Sequence, residues 1–235
     1  MRPFRPCAVG VAVAIALAGC TDDEPATSST EGDGTTDGVG RELTDDEAEA
    51  ALPDAPEGLD GSAYEIGAED RKTDPEECLD LLRLGPEAER LRDARSGFAG
   101  ITYSTPSGPL EEQQSYTISI ASHPDPIGPD VLSQAGEALG QCSAFSFTGT
   151  DASGNFDERI LAEGIPVKNL GDQTFAVRLT SFPEIDGDVH RQYVDQIDVR
   201  VGHTLVSVRS TGYRENDDTQ DIEEMAQQIL DDLEK

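Results

Sequence analysis

The stretch VRVGHTLV, residues 199–206, decides the fold. Apolar residues alternate with other residues before the Gly202-His203 pair, and the alternation resumes after it. An apolar residue at every second position is typical of a strand with one buried face. A glycine in a two-residue connection is typical of a tight hairpin turn. The sequence therefore predicts two antiparallel strands, one over residues 189–201 and the other over residues 204–213.

The same pattern extends upstream through much of the chain. Alternating or short apolar runs, bounded by Gly, Pro, Asp and Asn, predict five further strands. They cover residues 97–105, 112–123, 144–148, 156–165 and 173–182. Most of the connections are of hairpin length, which favours antiparallel pairing. We therefore expect a mainly antiparallel sheet of about six to seven strands.

Helices are predicted before, between and after these strands. Thr44 and Glu47 have the spacing of a capping box at the start of a short helix. Asp74-Pro75 is predicted to cap and begin a second helix, which ends at Gly85-Pro86. Apolar residues at helical spacing predict three more, over residues 87–95, 129–142 and 218–235. This order predicts a single α+β domain over residues 43–235, with the helices packed on one face of the sheet.

The N-terminus carries Leu17-Ala18-Gly19-Cys20, which has the form of a lipobox. Two arginines and an apolar run over residues 7–17 precede it, as in a secretory signal. The run is shorter than the roughly 20 residues that a membrane-spanning helix needs. The resemblance to bacterial lipoprotein signals implies that residues 1–19 are a signal peptide, cleaved after Gly19, and that Cys20 is lipidated. The alternative is an ordinary secretory signal in which Cys20 has no role.

Lipidation of Cys20 would anchor the protein on the extracytoplasmic face of the cell membrane. Residues 20–42 are rich in Gly, Ser, Thr and Asp, which predicts a flexible acidic tether. The formal net charge of -31 argues against binding to nucleic acid or to an anionic membrane through charge. Solubility, cation binding and adaptation to salt are three interpretations of this acidic surface.

The sequence contains 4 cysteines. Cys7 lies in the predicted signal peptide and Cys20 is the predicted lipidation site, which leaves Cys78 and Cys142. An even pair in an oxidising compartment predicts a disulfide. Neither a CxxC motif nor a neighbouring histidine supports a metal or redox role for this pair.

Patterns for catalysis or metal binding are weak. No G-x-S-x-G surrounds any serine, and His123, His190 and His203 fall at predicted strand ends or turns. The run over residues 151–157 offers alternating oxygen ligands, but Ala162 stands where an EF-hand has its glutamate. A hairpin turn is the simpler interpretation, with calcium as the alternative. We expect no catalytic residues, no metal and no cofactor.

Several stretches together resemble a known group of proteins. They are Cys78-Leu79-x-Leu81-Leu82, Gly140-Gln141-Cys142, Gly171-Asp172-Gln173-Thr174 and the hairpin stretch quoted above. In this order they resemble actinobacterial lipoproteins of the sensor-domain-containing type. That group is distantly similar to the extracellular sensor region of a mycobacterial serine/threonine receptor kinase. The resemblance implies a curved antiparallel sheet, a cleft and a ligand-binding role, and it names no ligand.

Three functions are consistent with these observations. The first is a non-catalytic, membrane-anchored domain that binds or senses an unknown small ligand. The second is a lipoprotein that docks another protein of the envelope, and the third is an extracytoplasmic hydrolase without a recognised motif. A pocket with converging polar groups would favour a small ligand, whereas a flat exposed apolar patch would favour a protein partner.

Overall fold

The computed structural model describes residues 40–64, 70–151, 154–185, 187–215 and 219–235. The predicted signal peptide, Cys20 and most of the predicted tether lie outside these residues and stay predictions. Within the described residues, no helix combines the length and the apolar character needed to cross a membrane.

Runs of strands are separated by helices along the described part of the chain. The strands are β1 (Asp60–Ala63), β2 (Lys72–Asp74), β3 (Gly97–Ser104), β4 (Gln114–Ser122), β5 (Ala144–Asp151), β6 (Gly154–Gly164), β7 (Gln173–Ser181), β8 (Glu184–Ile185), β9 (Asp188–Val189), β10 (Gln192–Val201) and β11 (Thr204–Gly212). The helices are α1 (Asp45–Ala50), α2 (Leu79–Arg83), α3 (Gly85–Asp93), α4 (Asp130–Gln141) and α5 (Thr219–Leu233). The capping box predicted at Thr44 and Glu47 is confirmed at the start of α1.

The main sheet has 9 strands in the order β1-β3-β4-β11-β10-β7-β6-β5-β2. Every neighbouring pair is antiparallel. Its seven inner strands are the predicted ones, so the prediction of about six to seven strands is wrong by the two edge strands β1 and β2. Those strands have only 4 and 3 residues, most of them exposed, and therefore lack the alternation by which a half-buried strand is recognised.

The hairpin predicted from residues 199–206 is confirmed. Val201 pairs with Thr204, so that Gly202 and His203 are the two turn residues between β10 and β11. Gly202 has a positive φ of 53°, and His203 does not. A positive φ at the first turn residue alone is the pattern of a type II′ turn, which favours glycine at that position.

The main sheet is curved. β1 and β2 are its two edges, yet the chain takes only nine steps from Ala63 to Lys72. Eight strand spacings of about 4.8 Å would hold the edges of a flat sheet about 38 Å apart. Nine residues extend at most about 32 Å. The two edges must therefore bend toward each other.

Apolar side chains are buried on both faces of this sheet. Ala176 pairs with Ile197, and the next residue, Val177, pairs with Gln196. Because successive residues of a strand point to opposite faces, Val177 and Ile197 lie on different faces. Ile197 belongs to a core with α1 and α5, and Val177 belongs to a second core with α2, α3 and α4.

The prediction that the helices pack on one face of the sheet is therefore wrong. α1 and α5 cover one face, and α2, α3 and α4 cover part of the other. The burial of β7 and β10 gives the physical reason, because each contains consecutive buried residues. Such runs are typical of strands that are covered on both sides.

The predicted hairpin lies at the centre of the first core. Val199 and Val206 are paired, and both are fully buried in the cluster that contains Ile222 of α5. Burying a side chain of this size contributes about 1.5–3 kcal/mol. The alternation that predicts the hairpin is thus also the pattern that fixes which face of it receives α5.

The helix predicted to begin at Asp74-Pro75 begins later. Asp74 is the last residue of β2, where it pairs with Ser146. A short 3-10 turn over Glu76–Cys78 follows, and α2 begins at Leu79. Asp74 does not cap the helix because its backbone is already used in the edge of the sheet.

The predicted disulfide between Cys78 and Cys142 is confirmed, and both residues are buried. It joins the 3-10 turn that precedes α2 to the residue that follows α4. The bond therefore fastens the chain next to edge strand β2 to the helix of the second core.

Candidate ligand-binding face

The face of the sheet that carries α2, α3 and α4 is covered over β5, β6 and β7, and β10 is also buried on this face. Across β3, β4 and the part of β11 that follows Leu205, no described helix packs extensively along this face. We call this uncovered part the open face. Its floor includes the half-buried side chains of Thr102, Thr117, Ser119, Ser207 and Arg209.

The polar floor follows from the alternation of the strands. β4 and β11 alternate between buried and half-buried residues along their whole lengths. The buried residues face α1 and α5, and the hydroxyl and guanidinium groups face the open side. Thr117 pairs with Arg209, and Ser119 pairs with Ser207, so these four side chains are neighbours on one surface.

Tyr64, which follows β1, borders the open face. Its ring lies directly on Gly100 of β3, where an added Cβ would meet Tyr64 Cγ at 2.7 Å. The ring also packs edge-on against Phe98, with 5.4 Å between centroids. On the same phenylalanine, the Arg95 guanidinium lies 4.3 Å from the ring centroid. Glycine at position 100 is thus what allows an aromatic residue to approach the floor.

A chain of hydrogen bonds runs across this face of the sheet, from β11 to β10. Arg209 donates from Nε and Nη2 to Gln196 Oε1, at 3.0 and 2.6 Å. Gln196 Nε2 in turn donates to Asp198 Oδ2 at 2.7 Å. Gln196 is the cross-strand partner of Arg209 and Asp198 is that of Ser207, so both lie on the same face as the floor, where they are buried. The Gln196 amide therefore fixes the guanidinium from the neighbouring strand and connects it to a buried carboxyl group.

The carboxyl group of Asp198 is a weaker acid than an ordinary aspartate side chain. Burial raises its pKa from 3.8 to about 6, although Ser207, Gln196 and the positive charge of Arg209 act in the opposite direction. A carboxyl group deprived of water holds its proton to a higher pH because the charged form is disfavoured. The carboxyl group beside Ser207 therefore titrates close to neutral pH.

Arg71 approaches this site from the other edge of the sheet, immediately before β2. Burial lowers the pKa of its guanidinium, and the charges of Arg209, Arg83 and Arg92 lower it further. Arg71 also lies over Phe147, 5.9 Å from the ring centroid. The curvature of the sheet thus brings an arginine beside β2 within electrostatic reach of an arginine on the central strand β11.

A second concavity lies on the opposite face, beside α5. It has a volume of about 250 Å³, and Lys168, Leu170, Glu223, Gln227 and Asp231 are among its lining residues. Lys168 Nζ and Glu223 Oε1 form an ion pair at 2.7 Å across it. The existing ion pair and the excess of carboxylates leave it less suited to a ligand than the open face.

The three histidines do not form one site. His123 is buried, and burial lowers the pKa of its imidazole. His203 lies in the β10–β11 turn, with Nδ1 2.9 Å from the carbonyl oxygen of His123. His190 precedes the other end of β10. The prediction that His203 serves the hairpin turn agrees with this arrangement.

The run with alternating oxygen ligands forms the connection between β5 and β6. Asp151 pairs with Gly154, and Thr150 Oγ1 donates to Asn155 Oδ1 at 2.9 Å. Residues 152 and 153 lie outside the described part. Where the chain is described, no three His, Cys, Asp or Glu side chains are grouped as metal ligands would be.

The residues of the open face are absent from the sequence-based candidates. The sequence does contain a pattern that could have pointed to Ser207 and Arg209. They occupy the polar positions of an alternating strand, and such positions usually face solvent. No such pattern pointed to Arg71 and Tyr64, because they flank short edge strands that show no alternation of apolar and polar residues.

These elements define the class of fold, an α+β domain in which a curved antiparallel sheet carries helices on both faces. Among solved structures, the chain is similar to the extracellular domain of PknH from Mycobacterium tuberculosis, with a TM-score of 0.59 and 12% sequence identity. That similarity covers 83% of this chain and 98% of the other. The predicted distant similarity to a mycobacterial kinase sensor region is thereby confirmed at the level of the fold.

A second solved structure, the Rv0999 ortholog from Mycobacterium smegmatis, has a TM-score of 0.38 and 11% identity over 76% of this chain and 90% of that chain. This TM-score is too low to indicate a shared fold. No protein-family model and no curated protein matches the sequence.

Proposed function

We propose that this chain is a membrane-anchored extracytoplasmic lipoprotein whose domain binds a ligand on the open face without transforming it chemically. The observation that carries the proposal is the open face itself, three strands of a curved sheet whose hydroxyl and guanidinium groups have no helix packed extensively along them. Polar groups on a concave, partly buried surface orient ligands in known binding sites.

The similarity in fold to the extracellular domain of PknH supports this proposal. In that protein the domain is extracellular, which agrees with the secretory signal and with the disulfide of this chain. Sensing would then consist of ligand binding, with the output passed to another protein of the envelope.

Ligand binding on the open face is tested by blocking it. Ser119→Phe would fill the floor, whereas Ser107→Phe places the same ring on the exposed connection before β4. The full chain is heated with cell-wall fragments, short-chain phospholipids and neutral disaccharides as probes. A ligand at about 100 times its Kd stabilises the folded state by about 2.7 kcal/mol, which raises the Tm by several degrees.

We expect at least one probe to raise the Tm of the wild type and of Ser107→Phe but not that of Ser119→Phe. If no probe shifts the Tm, or if Ser119→Phe responds like the wild type, ligand binding on the open face is wrong. A protein partner recovered equally by both variants would instead support docking through another surface.

Anchoring is tested separately with Cys20→Ala. If Cys20 carries the lipid, the wild type should sediment with membranes, and the variant should move almost entirely to the soluble fraction. Two acyl chains hold a protein on a bilayer stably, and their loss removes that attachment. Ser28→Ala, in the same predicted tether, is the control and should stay with the membranes. An unchanged distribution of Cys20→Ala would contradict the lipoprotein proposal.

A further inference from the structure

We infer that the ligand of the open face is an oxyanion, a phosphate or carboxylate group held between Arg71 and Arg209. The inference rests on the proposed function and specifies the chemistry of its ligand. It starts from an unusual distribution of charge, since the chain has 48 acidic residues and only 17 lysines and arginines. In such a chain, a buried guanidinium donor without an acceptor, as at Arg71, is unexpected.

Most of the other described arginines with an assigned contact face a carboxylate. These ion pairs are Arg41–Glu47, Arg90–Glu87, Arg178–Asp195, Arg200–Asp172 and Arg214–Glu112. Within the described residues, neither Arg71 nor Arg209 has an ion pair of this kind. The open face therefore brings together two guanidinium groups that form no ion pair with a carboxylate of the described residues.

Arg209 is already oriented for a ligand. Its Nε and one Nη2 hydrogen are bound by Gln196, which leaves three of the five N–H donors of a guanidinium. No other described side chain accepts from them. Because the group is fixed by a buried amide, a ligand would lose less side-chain entropy in ordering it than it would with a free surface arginine.

Arg71 has fewer hydrogen-bond acceptors than Arg209. Its Nε is buried and has no hydrogen-bond acceptor among the described residues. The groups that act on it most strongly include three guanidinium groups, those of Arg209, Arg83 and Arg92. A buried donor without an acceptor is costly, and the repulsion between like charges adds to that cost. An oxyanion between Arg71 and Arg209 would supply the acceptor and reduce the repulsion together.

The floor can complete the coordination of such a group. Thr117 is the cross-strand partner of Arg209, and Ser119 and Ser207 are the next pair along the same two strands. Guanidinium groups bind carboxylate and phosphate oxygens with two parallel bonds, and hydroxyl groups donate to the oxygens that remain. Asp198, on the same face of the neighbouring strand β10, balances part of the charge of Arg209 through Gln196, but Arg71 has no such counter-charge among the described residues.

The test measures binding of three probes to the full chain, purified in a neutral detergent, by isothermal titration. The probes are inorganic phosphate, acetate and short-chain phosphatidic acid, which separate a free phosphate, a carboxylate and a lipid headgroup. Arg71→Gln removes one charge of the cluster. Arg214→Gln removes the same charge at an exposed position outside the open face, where the ion pair with Glu112 is long, at 3.9 Å.

We expect at least one probe to bind the wild type. Relative to the wild type, the Kd should be at least about tenfold higher for Arg71→Gln and should change less than about twofold for Arg214→Gln. Added salt should also raise the Kd of the wild type. Arg71→Lys keeps the charge but loses the planar fork, so its Kd should lie between those of the wild type and Arg71→Gln. If Arg71→Gln fails to fold, Arg209→Lys serves as the second variant and should weaken binding in the same direction.

The absence of binding by all three probes would overturn the inference, and so would equal losses in Arg71→Gln and Arg214→Gln. The proposed function fails differently. If neutral disaccharides bind in a manner that depends on Ser119 while all oxyanions fail, the ligand class is wrong and the binding face stands. If substitutions on the open face change the binding of no probe of either kind, both the proposed function and the proposed ligand class are wrong.

Discussion

Replacing Cys78 and Cys142 by alanine should lower the free energy of unfolding by about 4 kcal/mol. The disulfide joins residues 64 positions apart, and a closed loop of that length removes much of the conformational freedom of the unfolded chain. The loss should lower the Tm by roughly 8–16 °C in a domain of this size. The effect is large because the bond fastens edge strand β2 to the second core.

Thermal and urea unfolding of the double variant, compared with the wild type, measures this effect. The single variant Cys78→Ala should match the double one, since either change removes the bond. Wild-type protein unfolded in a reductant should lose a similar amount, whereas the double variant should not respond to the reductant. A loss below about 1 kcal/mol in both variants would contradict a stabilising role of the bond, given the range known for disulfides.

Asp198→Asn should remove a pH dependence of stability of about 3 kcal/mol. Burial raises the pKa of Asp198 to about 6 in the folded chain, against 3.8 as its ordinary value. Between these values the folded state binds more protons than the unfolded state, so the free energy of unfolding falls as the pH rises. The contribution of the protonated group is fully present below about pH 4 and is lost as the pH passes through about 6.

The measurement is urea unfolding of the wild type and of Asp198→Asn at intervals from pH 4 to pH 8. Many carboxylates affect both proteins, so the quantity to follow is the difference between their free energies of unfolding. It should shift in favour of the variant by about 3 kcal/mol across this range. Asp188→Asn, at an exposed position, is the matched control. A difference that stays constant with pH would mean that Asp198 does not titrate as proposed.

The inner strands were predictable because the burial of their side chains follows the order of residues along each strand. In β4 and β11 every second residue is buried, so the pattern appears directly in the sequence. β1 and β2 have no such pattern, because edge strands bury little. The face on which each helix packs was not predictable either, since it depends on the register that sets Val177 opposite Gln196 rather than opposite Ile197.

The open face was the hardest feature to predict. Arg71 and Arg209 are far apart in the chain, and they approach each other only because the two edges of the sheet curve together. Cysteine pairing, in contrast, needed only the count of cysteines and the compartment. Residues that share a buried face leave a periodic signal, whereas residues gathered by curvature do not.

The short strands at the two ends of the sheet have a consequence for contacts between copies of the domain. An open sheet exposes unpaired backbone groups at its edges, which invite strands from other molecules. Here the outermost strands offer only 4 and 3 residues, and Pro75 follows directly after β2. Proline has no backbone N–H to donate, and short edges give an incoming strand little to pair with. The domain can therefore be held at high local density without joining its neighbours into larger sheets.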